Sequence, residues 1–230
     1  MSVKAVKKKG PRESQSNRKL RLVEIIALLQ RYYPEAHCAL NFSNPHELLV
    51  ATILSAQCTD ERVNQVTPTL FQRFPGVRAL AEAPLEELEE IVRPTGFFRN
   101  KAKNIKACAM ALVESHGSEV PPILEDLVGL AGVGRKTAHV VLGNAFGIAS
   151  GVVVDTHVTR LANRLGLVRG DNAVQIEREL NQLVDPEHWV MFSHWLIEHG
   201  RKVCKARSPQ CHQCFLEGLC PKKGVGKKSC

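Results

Sequence analysis

Hydrophobic positions recur at helical spacing along most of the chain. From residue 22 onward, apolar residues at i, i+3, i+4 and i+7 alternate with short breakers. The pattern predicts helices over 22–33, 46–56, 60–73, 85–93, 100–115, 123–129, 135–146, 156–166, 172–184 and 188–202. Start signals stand at Asn44-Pro45, Ala83-Pro84 and Asp185-Pro186, and stop signals at Gly96, Gly117, Gly147, Gly170 and Gly200. No segment shows sustained apolar–polar alternation. Val152–Val154 is β-branched but too short to define a strand. No long internal repeat interrupts the pattern. The expected class is all-α.

A length of 230 residues fits one large domain or two small ones. With 44% hydrophobic and 23% charged residues the chain is neither disordered nor collagen-like, and 5% aromatics argues against a binding surface of stacked rings. The net charge of +8 is concentrated at the ends. Residues 1–21 hold eight basic residues and one acid, residues 221–230 hold four lysines, and the span between them is at −3. Residues 1–21 read as a flexible basic arm and 222–230 as a basic tail, so a polyanion site in the body has to come from local geometry.

No apolar secretory segment precedes residue 22. The charge-free run Thr137–Val154 is 18 residues long but contains His139, Asn144, Ser150 and three glycines, so it reads as a buried helix and a turn rather than a membrane span.

Three local patterns carry chemistry. The first is LVGLAGVGRKTAHVVLGNAFG, 127–147. Gly132-Val133-Gly134 allows a tight turn between two short helices and a close approach of a phosphate to the backbone. The N–H groups of Gly134, Arg135 and Lys136 would open the second helix as an anion site, with Thr137 following. Such a grip positions a nucleic-acid backbone without reading its sequence. Lys136 at a helix start opposes the helix dipole, and Arg135 beside it pushes the same way, which favours a neutral, nucleophilic amine able to form a Schiff base. An ordinary phosphate-contacting lysine is the equal alternative on this segment alone.

The second pattern lies nineteen residues on, in VVVDTHVTRLANRLG. Asp155 stands where an N-cap belongs. A carboxylate held by backbone N–H groups can also stabilise a developing oxocarbenium ion. His157 shows no carboxylate partner in the sequence and reads as structural.

The third is Cys204-x6-Cys211-x2-Cys214-x5-Cys220, with Cys38, Cys58 and Cys108 scattered singly and Cys230 outside the spacing. So tight a cluster reads as metal ligation before disulfides. The uneven spacing suits a 4Fe–4S cubane, with zinc and a loop disulfide as alternatives.

In this order and spacing the three patterns closely resemble the bacterial endonuclease III family, the iron–sulfur branch of the helix–hairpin–helix DNA glycosylases. The resemblance runs from about 22 to 221 and includes LLVATILSAQCTD at 48–60 and GFFRNKAKNI at 96–105. It implies a two-lobed fold, with a six-helix domain over 38–149 and an iron–sulfur domain built from 22–37 plus 150–221. It implies a bifunctional glycosylase and AP lyase acting on oxidised pyrimidines such as thymine glycol, with Lys136 as nucleophile, Asp155 as its carboxylate and a 4Fe–4S cluster on Cys204, Cys211, Cys214 and Cys220. The partner would be damaged double-stranded DNA, with no membrane, and the protein a monomer. Gln57 matches the family residue that fills the gap left by the flipped base, and Phe97 matches an apolar wedge beside it, with core packing as the alternative. Lys101, Lys103, Arg135, Lys136 and Lys205 would supply local positive charge. The expected location is the bacterial cytoplasm and nucleoid, or the nucleus or an organelle if the source is eukaryotic.

Some positions depart from the family pattern. Ala131 replaces a common proline, Ser208 and Gln210 replace residues that are often basic, and Phe97-Phe98 replaces a common Leu-Tyr pair. Adenine and mismatch glycosylases of the same fold lack the lysine, and the adenine branch needs a carboxylate that segment 48–59 does not contain. A DNA-binding or redox-sensing protein needs no Lys136–Asp155 pair. A zinc nuclease needs an open ligand position that four thiols do not provide.

Overall fold

A computed structural model describes residues 13–226. Most of the expected basic arm, residues 1–12, and the end of the tail, 227–230 with Cys230, lie outside the described residues. Among the described residues there are eleven α-helices and no strand. They are α1 Gln15–Tyr32, α2 Pro45–Leu54, α3 Asp60–Arg73, α4 Gly76–Glu82, α5 Leu85–Val92, α6 Phe98–Ser115, α7 Leu124–Gly129, α8 Arg135–Ala145, α9 Thr156–Arg164, α10 Ala173–Leu183 and α11 Trp189–Lys202.

The helix starts follow side-chain caps. Asn44 accepts from the Glu47 N–H, Thr59 from Arg62 and Asn172 from Gln175. Three expectations differ. Helix α1 begins at Gln15, because Ser14 caps the Asn17 N–H, so residues 15–21 are helical rather than part of an arm. Helix α4 lies between the helices expected over 60–73 and 85–93, where the pattern predicts none. It is seven residues long, has no side-chain cap and packs along α6. Gly200 does not end a helix but lies inside α11, where a Cβ would stand 2.8 Å from Arg160 Nη2 and 2.9 Å from His157 Cδ2. The glycine there admits a neighbouring helix's side chains.

Two hydrophobic cores form. The first is built from 40–142 around α2, whose residues Leu48 to Leu54 are all buried. The second takes Leu22, Ile25, Ile26 and Leu29 from one stripe of α1, then residues 152–216 including Val158, Leu161, Ile176, Phe192 and Trp195. The chain therefore starts in the second core, builds the first, and returns. Polar bonds join the two: Arg135 to Glu177 at 2.6 Å, His194 Nε2 to Asn144 Oδ1 at 2.8 Å and Arg201 to Asp60 at 2.6 Å. The charge-free run 137–154 forms α8 and the extended segment after it. No described helix is long and apolar enough to cross a membrane.

Candidate active site

The glycine turn joins α7 to α8. Gly132 has φ +77°, and a Cβ on it would stand 2.9 Å from Asn104 Cβ on α6. Val133 inserts into the first core. Gly134 has open space where its Cβ would be, and no side chain caps α8. The start of α8 thus keeps unsatisfied N–H groups beside a backbone that a phosphate can approach. Thr137 is half-buried in the first turn of this helix.

Lys136 and Asp155 line one cavity of about 120 Å³, together with Ser55, Asp60, Asn144, His194 and Arg201. Lys136 is exposed. Asp155 is held tightly: its Oδ1 accepts the Val158 N–H at 2.8 Å as the cap of α9, and its Oδ2 lies 3.0 Å from His157 Nδ1. His157 therefore has the carboxylate partner that the sequence did not reveal. The segment leading to Asp155 is pinned by two side chains, because Asn181 Oδ1 accepts the Val152 N–H and Ser193 Oγ accepts the Val153 N–H, both at 2.9 Å. Burial pushes the His194 imidazole on the cavity wall down to about 4.

Arg135 is engaged by a carboxylate on another helix. Its guanidinium pairs with Glu177 of α10, whose Oε1 also lies 3.2 Å from His139 Nε2, and His139 Nδ1 lies 2.7 Å from Ser150 Oγ. Glu177, His139 and Asn181 form a polar joint beneath the hairpin, and sequence spacing gave no sign of it.

Gln57 and Phe97 have a shared property. Both are exposed non-glycine residues in the left-handed region, at φ +52° and +48°. Phe97 is 66% exposed, so it does not pack in the core. Arg93 and Arg99 flank it with their guanidinium groups 5.3 Å from the Phe98 ring, a basic pair with no signature in the local sequence pattern. Lys205 and Lys103 are exposed, as expected. Lys101 departs from its expectation: its side chain is 4% exposed, and Nζ donates to the Thr95 carbonyl at 2.7 Å. It supplies no surface charge.

Cys204, Cys211, Cys214 and Cys220 line one cavity walled by Leu161, Leu165, Val203 and Leu216. Arg164 Nη1 lies 3.3 Å from Cys204 Sγ, and the Lys222 N–H donates to Cys220 Sγ at 3.4 Å. His199 is buried, with Nε2 at 3.3 Å from Cys214 Sγ and Nδ1 at 2.9 Å from the Tyr33 hydroxyl. Tyr32 stacks on Phe215 at 4.1 Å, so α1 covers the loop. The free thiols of Cys204, Cys214 and Cys220 around one apolar space, with N–H donors aimed at two of them, suit iron–sulfur ligation, while Cys211 is disulfide-bonded in this structure.

Residues 50–186 match the HhH-GPD superfamily of base excision DNA repair proteins, and residues 204–220 match the iron–sulfur binding domain of endonuclease III. The endonuclease III of Synechocystis sp. is 53% identical over 206 residues, covering 90% of this chain and 94% of that one. That of Escherichia coli is 42% identical over 205 residues, covering 89% and 97%. Among solved structures, a non-covalent endonuclease III–DNA complex and a trapped endonuclease III–DNA covalent intermediate each superpose with a TM-score of 0.84 at 42% identity. Each covers 89% of this chain, and 95% and 96% of theirs. The chain belongs to the endonuclease III family. It is a DNA glycosylase and AP lyase of base excision repair and carries a 4Fe–4S cluster.

Proposed function

We propose that Lys136 is the nucleophile and Asp155 its carboxylate, in a bifunctional enzyme that removes oxidised, ring-saturated pyrimidines from double-stranded DNA. The observation that carries this reading is that both residues, nineteen apart in sequence, line one cavity between the two cores. The damaged nucleotide leaves the stack, at a lower cost when its base is non-planar. Lys136 Nζ forms a bond to C1′ as the glycosidic bond breaks, and the bonding pair leaves with the base. Asp155, fixed by the Val158 N–H, stabilises positive charge on the sugar. Nζ loses its proton, the sugar ring opens to an imine, and removal of a C2′ proton expels the 3′ phosphate.

Gln57 and Phe97 suit the space a flipped nucleotide vacates, since both project from the surface on strained turns. Gly132, Val133, Gly134, Arg135 and Thr137 form the hairpin that meets the backbone, with Lys205 on the cysteine loop adding charge. In this hairpin the bare N–H groups of α8 do more than Arg135, which Glu177 occupies. Cys204, Cys211, Cys214 and Cys220 hold the cluster, which when bound ties the loop into a fixed shape. The separate cores, one within 40–142 and the other from 22–33 with 152–216, support a division into two domains, 38–149 and 22–37 plus 150–221. A monomer in the bacterial cytoplasm or nucleoid fits this activity.

The test is a duplex with a single thymine glycol, scored for base release and for strand cleavage. The reading expects both, with cleavage 3′ to the lesion. Base release without cleavage would indicate water as the nucleophile, and neither would contradict the proposed substrate.

A further inference from the structure

The structure assigns Lys101 a role beyond the surface charge expected of it: we propose that it is the positioning residue that holds the Phe97 turn, and through it the Gln57 turn, in their DNA-facing shapes. This rests on the reading of Gln57 and Phe97 as the pair that fills the gap in the duplex.

Left-handed backbone is unfavourable for a non-glycine residue, so the surroundings must hold it. Among the described non-glycine residues only Gln57, Phe97, Ser118 and Lys222 adopt it. At Phe97 the restraint is visible. Thr95 Oγ1 donates to the Val92 carbonyl at 2.8 Å, and the Gly96 N–H returns to Arg93 at 3.2 Å. From the first turn of α6, Lys101 then closes the segment twice. Its backbone N–H donates to the Phe97 carbonyl at 3.1 Å, and its Nζ reaches back to the Thr95 carbonyl at 2.7 Å. Thr95 and Lys101 are both buried, while Phe97 between them stands out into solvent.

The second turn lies next to this one. The 93–95 turn packs on α3, the helix that follows the Gln57 turn. Burial pulls the Lys101 ammonium below the usual lysine range, and the sulfur of Cys58, next to Gln57, is near enough to act in the opposite direction. The ammonium therefore sits beneath the Phe97 turn, and that turn packs on the helix that the Gln57 turn leads into. A buried ammonium is an expensive way to fill space, and a methionine of similar length would cost less desolvation. What the charge adds is a strong, directed bond to a carbonyl one residue from Gly96.

The test compares the holoenzyme with Lys101→Met, which keeps the length and removes the donor. Lys101→Gln, which keeps an N–H donor, is the second variant should the first not retain its cluster. Three readouts are taken: single-turnover excision from a thymine-glycol duplex, fluorescence of 2-aminopurine placed opposite the lesion, and β-elimination on a single-stranded abasic oligonucleotide, which has no gap to fill. The expected result is a roughly tenfold or greater loss on the duplex with loss of the fluorescence change, and a single-strand rate within about twofold of wild type. In a Phe97→Ala background the Lys101 effect should largely vanish. Equal losses on both substrates, additive losses in the double variant, or no loss at all would overturn the proposal. Wild-type duplex rates in Phe97→Ala alone would instead overturn the reading of Phe97.

Discussion

Lys136 and Asp155 meet through very different restraints. Lys136 extends from the start of α8 into a cavity, whereas Asp155 is fixed by the Val158 N–H and the His157 ring. Two substitutions separate its two jobs. Asparagine caps a helix about as well as aspartate, so Asp155→Asn should leave the thermal midpoint nearly unchanged while slowing base release by orders of magnitude. Asp155→Ala should lose about 1 kcal/mol of stability in addition. Parallel melts and single-turnover assays check this, and equal rates for Asp155→Asn and wild type would remove Asp155 from the chemistry. At this scale the sequence was readable wherever a residue acts through its local position, Asp155 as a cap and Lys136 in a first turn, whereas Gln57 was legible only through the family resemblance. It was not readable where the fold decides which partner a side chain meets, near or far along the chain. Glu177 claims Arg135, Thr95 claims Lys101 and Asp155 claims His157, and the first pair is 42 residues apart.

Among the elements, the glycine turn is the most demanding. Gly132 combines φ +77° with Asn104 packed 2.9 Å from where a Cβ would sit. Gly132→Ala should therefore destabilise the protein by about 1–3 kcal/mol, as a side chain is forced into a left-handed, crowded site. It should also weaken affinity for undamaged duplex, because the first turn of α8 shifts. Urea melts and titrations at several salt concentrations check both, and an unchanged melt would show that α6 yields at Asn104. Caps and periodicity made ten of the helices legible. They could not reveal α4, which has no cap and forms because α6 gives it a packing surface. Nor could they show that Gly200 makes room for Arg160 and His157 instead of ending a helix.

Across the whole molecule, the cavity exists because two cores are held at a fixed relation. His194 on α11 bonds Asn144 on α8 across that joint, and burial lowers it from an ordinary 6.5 to about 4. The unfolded chain therefore takes up a proton before the folded one does. His194 contributes stability that is present above pH 6.5 and is lost as pH falls from 6.5 toward 4. His194→Gln, which keeps a hydrogen-bond donor for Asn144, should flatten the dependence of the thermal midpoint on pH in that window. A profile as steep as wild type would place the titration elsewhere. That two cores form was an implication of family resemblance, and the bonds joining them were beyond the reach of local pattern.

The most direct measurement is to reduce the reacting complex with borohydride and map the attachment by mass spectrometry. The protein is mixed with a thymine-glycol duplex, trapped and digested, and the DNA-bearing peptide is sequenced. The account predicts a single adduct on Lys136 Nζ, absent from Lys136→Gln even though that variant still binds the lesion. An adduct on another amine, or one that persists in Lys136→Gln, would contradict it.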